Sequence, residues 1–526
     1  MSATTFNPEL ARNFRIQLRP GRMLAAAVIC AAVSLSFVAV YSFSGTRDPR
    51  QLFGTIFLIQ TAVLVIGGSI YCLQSVQREK DQNTFDFQRI TRLTPLQLAI
   101  GKILGAPALA YFVVLCLMPV VFWAAPAGGV GLLTILEMYV VLLLGALVFH
   151  CFAVLISMVL QKGTSAGAMF FFLWAIGMTS IEGNGNQQGL LAVHAIGPFW
   201  PYTLLESGTS SIGSLPPPPL DLPYVTGPTT DLFFSVSVPH AAVLLVLYAT
   251  LAAWFLLALA RNIKRDPSVY EIYRPWQSFA LALYLNFLVL GFFRWTMGTF
   301  VQTQGARRPG DGSWQFYPVS AQDAESSFLA ASLAIFLFLG LTLLRNRERT
   351  RRFLREFGKS SADWLAAVWP APYLIGGAAL TGIASVALIH LRAQPGTQWD
   401  LGVGVLQVAF AAVWLARDFV YLQWMNLRRT RRPLVSAFLY LIVFYVCVSI
   451  VLSTLHLFDA ASKSIAAIFV PSAAIGLDSA TWSAHQAQWI GSLVLLFVQM
   501  LGFAWLQRRE LKQLAATGSA AEPVTP

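Results

Sequence analysis

The sequence predicts an all-α, polytopic membrane protein of about twelve spans, and three observations carry that prediction. Of 526 residues, 56% are hydrophobic and only 11% are charged, whereas a soluble domain carries roughly 25% charged residues. Apolar runs of roughly the 20 residues that a bilayer-crossing helix needs recur along the whole chain. Basic residues gather in alternate gaps between those runs, which is how topology is encoded. The net charge of +12 therefore reads as topology and contact with membrane lipids, and a nucleic-acid partner is not expected.

The chain opens with Asn7-Pro8-Glu9. Asn suits a cap, Pro a first helical position, and an acid the positive helix end. Leu10, Phe14 and Leu18 form one stripe and Arg12, Arg15, Arg19 and Arg22 another. The pattern predicts a short interfacial helix with a basic face, ended by Pro20-Gly21. Apolar runs follow at 24–43, 53–74, 103–124, 132–160, 165–181 and 238–260. Six more lie at 276–296, 327–344, 366–390, 401–424, 434–455 and 486–506.

Residues 183–240 contain no Lys or Arg, whereas 78–92, 162, 261–274, 345–359, 428–432 and 508–512 carry them. The positive-inside rule then places both termini and these loops in the cytoplasm. Arg47, Arg50, Arg307, Arg308, Arg392 and Lys463 are outnumbered exceptions.

The order of runs and charges repeats, which predicts two six-span halves, 1–265 and 266–513, and a small polar tail, 514–526, expected to be disordered. Halves repeating in the same direction form a pseudo-dimer about an axis normal to the membrane. Between the last two spans of each half lies a short apolar segment with proline. One contains Pro198 and Pro201 and runs on to Glu206; the other spans 465–471, with Pro471, and runs on to Asp478. Each is too short to cross, so each is expected to dip in from the outer face and return.

The most charged stretch of the first half, Gln77 to Lys102, lies between the second and third runs. It must sit in water at the ends of two spans. Asn83 and Thr84 are capping types, and Phe85, Phe87 and Ile90 give a short helix its apolar positions. Thr94-Pro95 stops one helix and starts another, because the residue before proline avoids the helical region. The expected product is a short amphipathic helix hinged to a membrane helix. Gly101 and Gly105, one turn apart, would let a neighbour pack closely.

Glu79, Thr84 and Asp86, followed by Leu93-Thr94-Pro95-Leu96 and Gly101-Lys102, resemble the cytoplasmic loop of type-2 ABC exporter permeases. Gln97 stands where that family usually has serine. The likeness is close over 77–102 and looser over the span layout of the first half. It implies a type-2 ABC permease with two six-helix repeats fused in one chain, in a bacterial-type cytoplasmic (inner) membrane. The ATPase-coupling residues would be Glu79, Asp81, Thr84, Phe85, Asp86, Arg89, Thr94 and Pro95. The partner would be an ATP-binding-cassette subunit, as two copies or a heterodimer, holding ATP and magnesium. No cofactor is expected in this chain.

The second half is not equivalent. Arg345 to Lys359 lacks the Thr-Pro step, and Glu348 lies four residues closer to Pro372 than Glu79 does to Pro107. A weaker coupling set, Glu348, Arg352 and Glu356, is expected there.

The chain carries little chemistry of its own. Gly358-Lys359-Ser360 resembles the end of a phosphate loop, but its leading position is Phe353, so no nucleotide site is expected. Cys30, Cys72, Cys116, Cys151 and Cys447 all fall inside predicted spans as packing residues. The histidines show no metal-ligand spacing, and no catalytic set converges. Glu137 and His150 share a run but would lie about 20 Å apart along it, too far for one relay. His150 is expected to be a hydrogen-bonded core residue, and Arg417-Asp418 a structural pair near the inner end of the tenth span. A twelve-span secondary carrier, or an ATPase-driven membrane component of a lipid or protein assembly system, are the alternatives to an exporter.

Overall fold

The computed structural model describes residues 7–43, 49–159, 230–233, 236–265, 272–291, 371–392, 401–428 and 479–519. It also describes 306–307, 314–315, 467–468 and isolated positions between 328 and 351. The described chain is helical apart from two short antiparallel hairpins. One pairs β1 (Thr230–Phe233) with β2 (Val236–Pro239), the other β3 (Ala306–Arg307) with β4 (Trp314–Gln315). They add small strands to a fold expected to be wholly α.

Among the described residues, seven helices are long and apolar enough to cross a membrane. They are Pro20–Phe43, Leu52–Asp81, Ala108–Ala127, Leu132–Met158, Ala242–Asn262, Gly402–Leu427 and Trp482–Ala516. Pro275–Gly291 and Ile375–Ala384 are shorter apolar helices. The chain is a multi-pass membrane protein. The expected runs at 165–181 and 434–455 lie outside the described residues. The chain divides into two compact units, Met1–Tyr270 and Glu271–Pro526.

In the first unit, proline opens α1 (Pro8–Gln17), α2 (Pro20–Phe43) and α3 (Pro49–Thr61). Pro20 thus starts the first span instead of closing α1. The second span continues through a π-helical stretch, Ala62–Gly67, into α4 (Gly68–Asp81). Then come α5 (Phe85–Ile90), α6 (Pro95–Gly105), α7 (Ala108–Ala127), α8 (Leu132–Val159) and α9 (His240–Asn262). The run 103–124 is not one helix. Pro107 separates α6 from α7, because proline has no N–H and its ring crowds the carbonyl four residues back.

The buried polar groups of this unit are used to join helices. His150 of α8 sets Nε2 3.0 Å from the Leu64 carbonyl and Nδ1 3.4 Å from the Tyr111 hydroxyl. Leu64 lies in the π-helical stretch, where the backbone departs from the α pattern. A methyl group on Gly68 would collide with the imidazole, so glycine makes the approach possible. Gln60 donates to the Val114 carbonyl at 3.0 Å and accepts from the Tyr139 hydroxyl at 2.9 Å. Around them pack Phe53, Phe57, Leu117, Val121 and Leu142.

The second unit contains α10 (Pro275–Gly291), α11 (Ala371–Arg392), α12 (Leu401–Leu427) and α13 (Ser479–Ser519). Phe410, Trp414 and Trp489 are buried between α12 and α13, with the Phe410 and Trp489 rings edge to face at 5.9 Å. α13 kinks at His485 and continues to Ser519. Residues 514–519 of the tail expected to be disordered are therefore helical, with Leu514 buried.

Candidate functional site

The candidate site lies where α1, α4, α5 and α6 meet. α1 packs on α6 through Gly101 and Gly105. A Cβ on Gly101 would lie 2.7 Å from Glu9 Cβ, and one on Gly105 the same distance from Asn13 Cβ. The face of α1 that is buried is Glu9, Asn13 and Gln17. The expected apolar stripe, Leu10, Phe14 and Leu18, is only half-buried. This corrects the reading of α1 as a helix that simply rests its apolar face on lipid. Small residues on α6 let the polar side of α1 come close enough to hydrogen-bond the backbone. Asn13 Nδ2 donates to the Gly101 carbonyl and to Glu9 Oε1, each at 3.1 Å, and Asn7 Nδ2 donates to the Gln97 carbonyl.

Glu79, in the last turn of α4, is the hub. Its Oε1 accepts from Arg12 Nη2 at 2.6 Å and from Gln88 Nε2 at 2.7 Å, and its Oε2 pairs with Lys102 Nζ. Lys102 is 0% exposed, lies 3.6 Å from Glu9 Oε1, and sits 6.0 Å from the centre of the Phe85 ring. Two carboxylates and two cations thus form a closed, neutral cluster, and only Arg12 reaches solvent. Leaving one buried charge unpaired costs about 3–5 kcal/mol, which is why such a cluster resists piecemeal loss. Glu79 was expected to face a partner. It is buried and satisfied from within, because Arg12, Gln88 and Lys102 converge on it.

α5 has two unlike faces. Phe85 and Gln88 point inward, while Phe87 is 69% and Ile90 80% exposed. Asp86 is also exposed and accepts from Arg89 Nη1 at 2.9 Å. The rest of the Arg89 guanidinium, Nε and Nη2, is buried without a hydrogen-bond partner. Thr84 does not cap α5 with its side chain. Its hydroxyl donates to the Glu79 carbonyl at 3.3 Å, and Asn83 turns the chain at φ 56°. Asp81, the last residue of α4, is exposed.

The Thr94-Pro95 hinge is a complete capping box. Gln97 N donates to Thr94 Oγ1 at 3.2 Å, and Thr94 N to Gln97 Oε1 at 3.0 Å. Gln97, where the resembling loops usually have serine, supplies the returning half of that box. Two further lysines fasten the segment. Lys80 Nζ donates to the Ser157 and Met158 carbonyls at the end of α8 (2.7 and 2.8 Å), and Lys264 Nζ to the Thr91 carbonyl at 2.7 Å.

The first-half coupling set is therefore brought together, but in two layers. Glu79 and Phe85 are inside, Asp81, Asp86 and Thr94 outside. Glu9, Arg12, Asn13 and Gln88 belong to the site and were missed. The signal available for them was the polar repeat Glu9, Asn13, Gln17 set against Gly101 and Gly105. The second-half set, Glu348, Arg352 and Glu356, and the outer-segment residues Pro198, Pro201, Glu206, Pro471 and Asp478 lie outside the described residues. Among the described residues, no group of three or more His, Cys, Asp or Glu side chains stands close enough to hold a metal. Compared with known protein families, with curated proteins and with solved structures, the chain finds no match.

Proposed function

We propose that the chain is the membrane subunit of an ATP-driven exporter of the type-2 ABC class, with a separate subunit hydrolysing ATP. The observation that carries this reading is the two-faced helix α5. It offers Asp86, Phe87 and Ile90 outward, while its inner face joins the Glu79–Lys102 cluster. A push on α5 would pass through Gln88 to Glu79 and from there to α1, α4 and α6 together. Twelve spans in two repeats, cytoplasmic termini and a pair of ATPase subunits complete the proposal, on the run lengths and the placement of basic residues. The cargo is read only as apolar or amphipathic, from the aromatic and apolar span surfaces.

A secondary carrier is the second reading, and the buried Arg417–Asp418 pair favours it, because intramembrane charge often marks a transport path. Those charges are fully engaged in structural bonds, which weighs against it. The deciding experiment purifies the tagged chain from native membranes and assays ATP hydrolysis. The proposal requires an ATP-binding-cassette subunit to copurify with the activity, and both to be lost in Phe87→Asp/Ile90→Asp protein that is still folded. Hydrolysis by the chain stripped of every partner would sink it.

A further inference from the structure

In the second unit, α12 carries two donors one turn apart, and both reach the same short piece of chain. Trp414 Nε1 donates to the Ala467 carbonyl and Arg417 Nη1 to the Ile468 carbonyl, each at 3.1 Å. Counted from Gly402, the donors lie about 18 and 22 Å along the helix, in its middle. Ala467 and Ile468 are helical and buried. A continuing helix would close the Ala467 carbonyl with the N–H of residue 471, but that residue is Pro471. Proline has no N–H to give. The sequence thus orphans this carbonyl, and Trp414 supplies the missing donor.

Arg417 is held independently of Ile468. Its Nε and Nη2 donate to Asp418 Oδ1 at 3.0 and 2.8 Å, and its guanidinium lies 4.2 Å from the centre of the Trp414 ring. The same Nη1 that reaches Ile468 also lies 3.3 Å from Gln499 Oε1 on α13. Opening a buried ionic contact is normally prohibitive because it strands a charge. Here the departure of Ile468 would leave Arg417 with Asp418 and Gln499. α8, the counterpart of α12 in the twofold plan read from the sequence, contains no Trp, Lys or Arg.

We propose that Trp414 and Arg417 form a releasable latch that holds Ala467 and Ile468 against the middle of α12, with Gln499 as the acceptor that receives Arg417 on release. The latch stands on second-unit geometry and does not depend on the exporter reading. It is tested by hydrogen–deuterium exchange on the full chain in lipid nanodiscs. Trp414→Phe keeps the ring and removes one donor. Peptides containing residues 467–468 are expected to exchange roughly fivefold faster in this variant, with α8 and the middle of α12 unchanged. Gln499→Leu removes the receiving acceptor, so the same peptides are expected to exchange more slowly than in the native chain. A static bridge would give the opposite sign for Gln499→Leu. Unchanged exchange at 467–468 in Trp414→Phe, faster or unchanged exchange in Gln499→Leu, or acceleration spread evenly over the second unit overturns the latch.

Discussion

Glu79 and Lys102, 23 residues apart in the chain, form the innermost ion pair of the first unit, and α1 and α5 are both tied to it. Arg12 reaches the pair from α1 and Gln88 from α5, so no one of these helices can shift without disturbing a contact to Glu79. The pair makes a rigid corner out of elements that are individually short.

Lys102→Met is expected to destabilise the chain by about 3–5 kcal/mol, because Glu79 and Glu9 then share a buried site with Arg12 as their only cation. Thermal unfolding of purified protein in detergent reads the loss. Glu79→Gln combined with Lys102→Met should cost less than Lys102→Met alone, since it removes the stranded carboxylate at the hub.

Gly101→Ala is expected to push α1 off α6. Its Cβ would meet Glu9 Cβ and Cγ at 2.7 Å and the Leu10 amide nitrogen at 3.0 Å, and a backbone neighbour cannot swing aside. Gly67→Ala meets nothing within 4 Å and serves as the control. Limited proteolysis within residues 7–19 should accelerate in the first variant and not in the second.

Gly68→Ala and His150→Ala are each expected to destabilise, yet not additively. Alanine at 68 collides with the imidazole, and removing the imidazole removes the collision. A double-mutant cycle on unfolding should show a coupling of about 0.5–3 kcal/mol with the double variant better than the sum. Strict additivity would mean that the Leu64–His150 contact does not organise the second span.

On the proposed reading, stability and coupling separate on α5. Glu79→Ala should lower the yield of folded protein, because it leaves Lys102 buried without its nearest carboxylate. Asp86→Ala, Phe87→Ala and Ile90→Ala change exposed groups and should leave the unfolding temperature nearly unchanged. Their defect should appear instead in substrate-stimulated ATP hydrolysis with the partner subunit present. Equal loss of folded protein in all four variants would contradict the division of α5 into two faces.

Local chemistry made part of this site legible. Thr94-Pro95 predicts a helix start whatever surrounds it, and the capping box is where that rule puts it. Run length found the apolar helices, because the bilayer imposes one length on all of them. Burial was not legible at Glu79: a carboxylate in a charged loop reads the same whether it meets water or Arg12 and Lys102, and those partners lie 67 and 23 residues away. The π-helical stretch at Ala62–Gly67 was hidden for the same reason. Its residues are ordinary span residues, and the contact at Leu64 comes from His150, 86 positions on. Pro107 was read as part of a span because its neighbours are apolar, whereas proline overrides hydropathy where the backbone is concerned.

The side-chain contacts of α1 on α6 also set an order of manufacture. Asn7 and Asn13 bond to carbonyls 90 and 88 residues further along, and Arg12 waits for Glu79. At roughly 5–20 residues per second, synthesis delivers those partners several seconds after α1 has left the ribosome. During that interval α1 has no α6 to dock on, while α2 behind it is already apolar enough to enter the bilayer. The N-terminus is therefore secured late, after the third apolar run has been made. A bulky domain fused ahead of Asn7 would act at that late moment, hindering the final docking of α1 while leaving the insertion of the spans untouched.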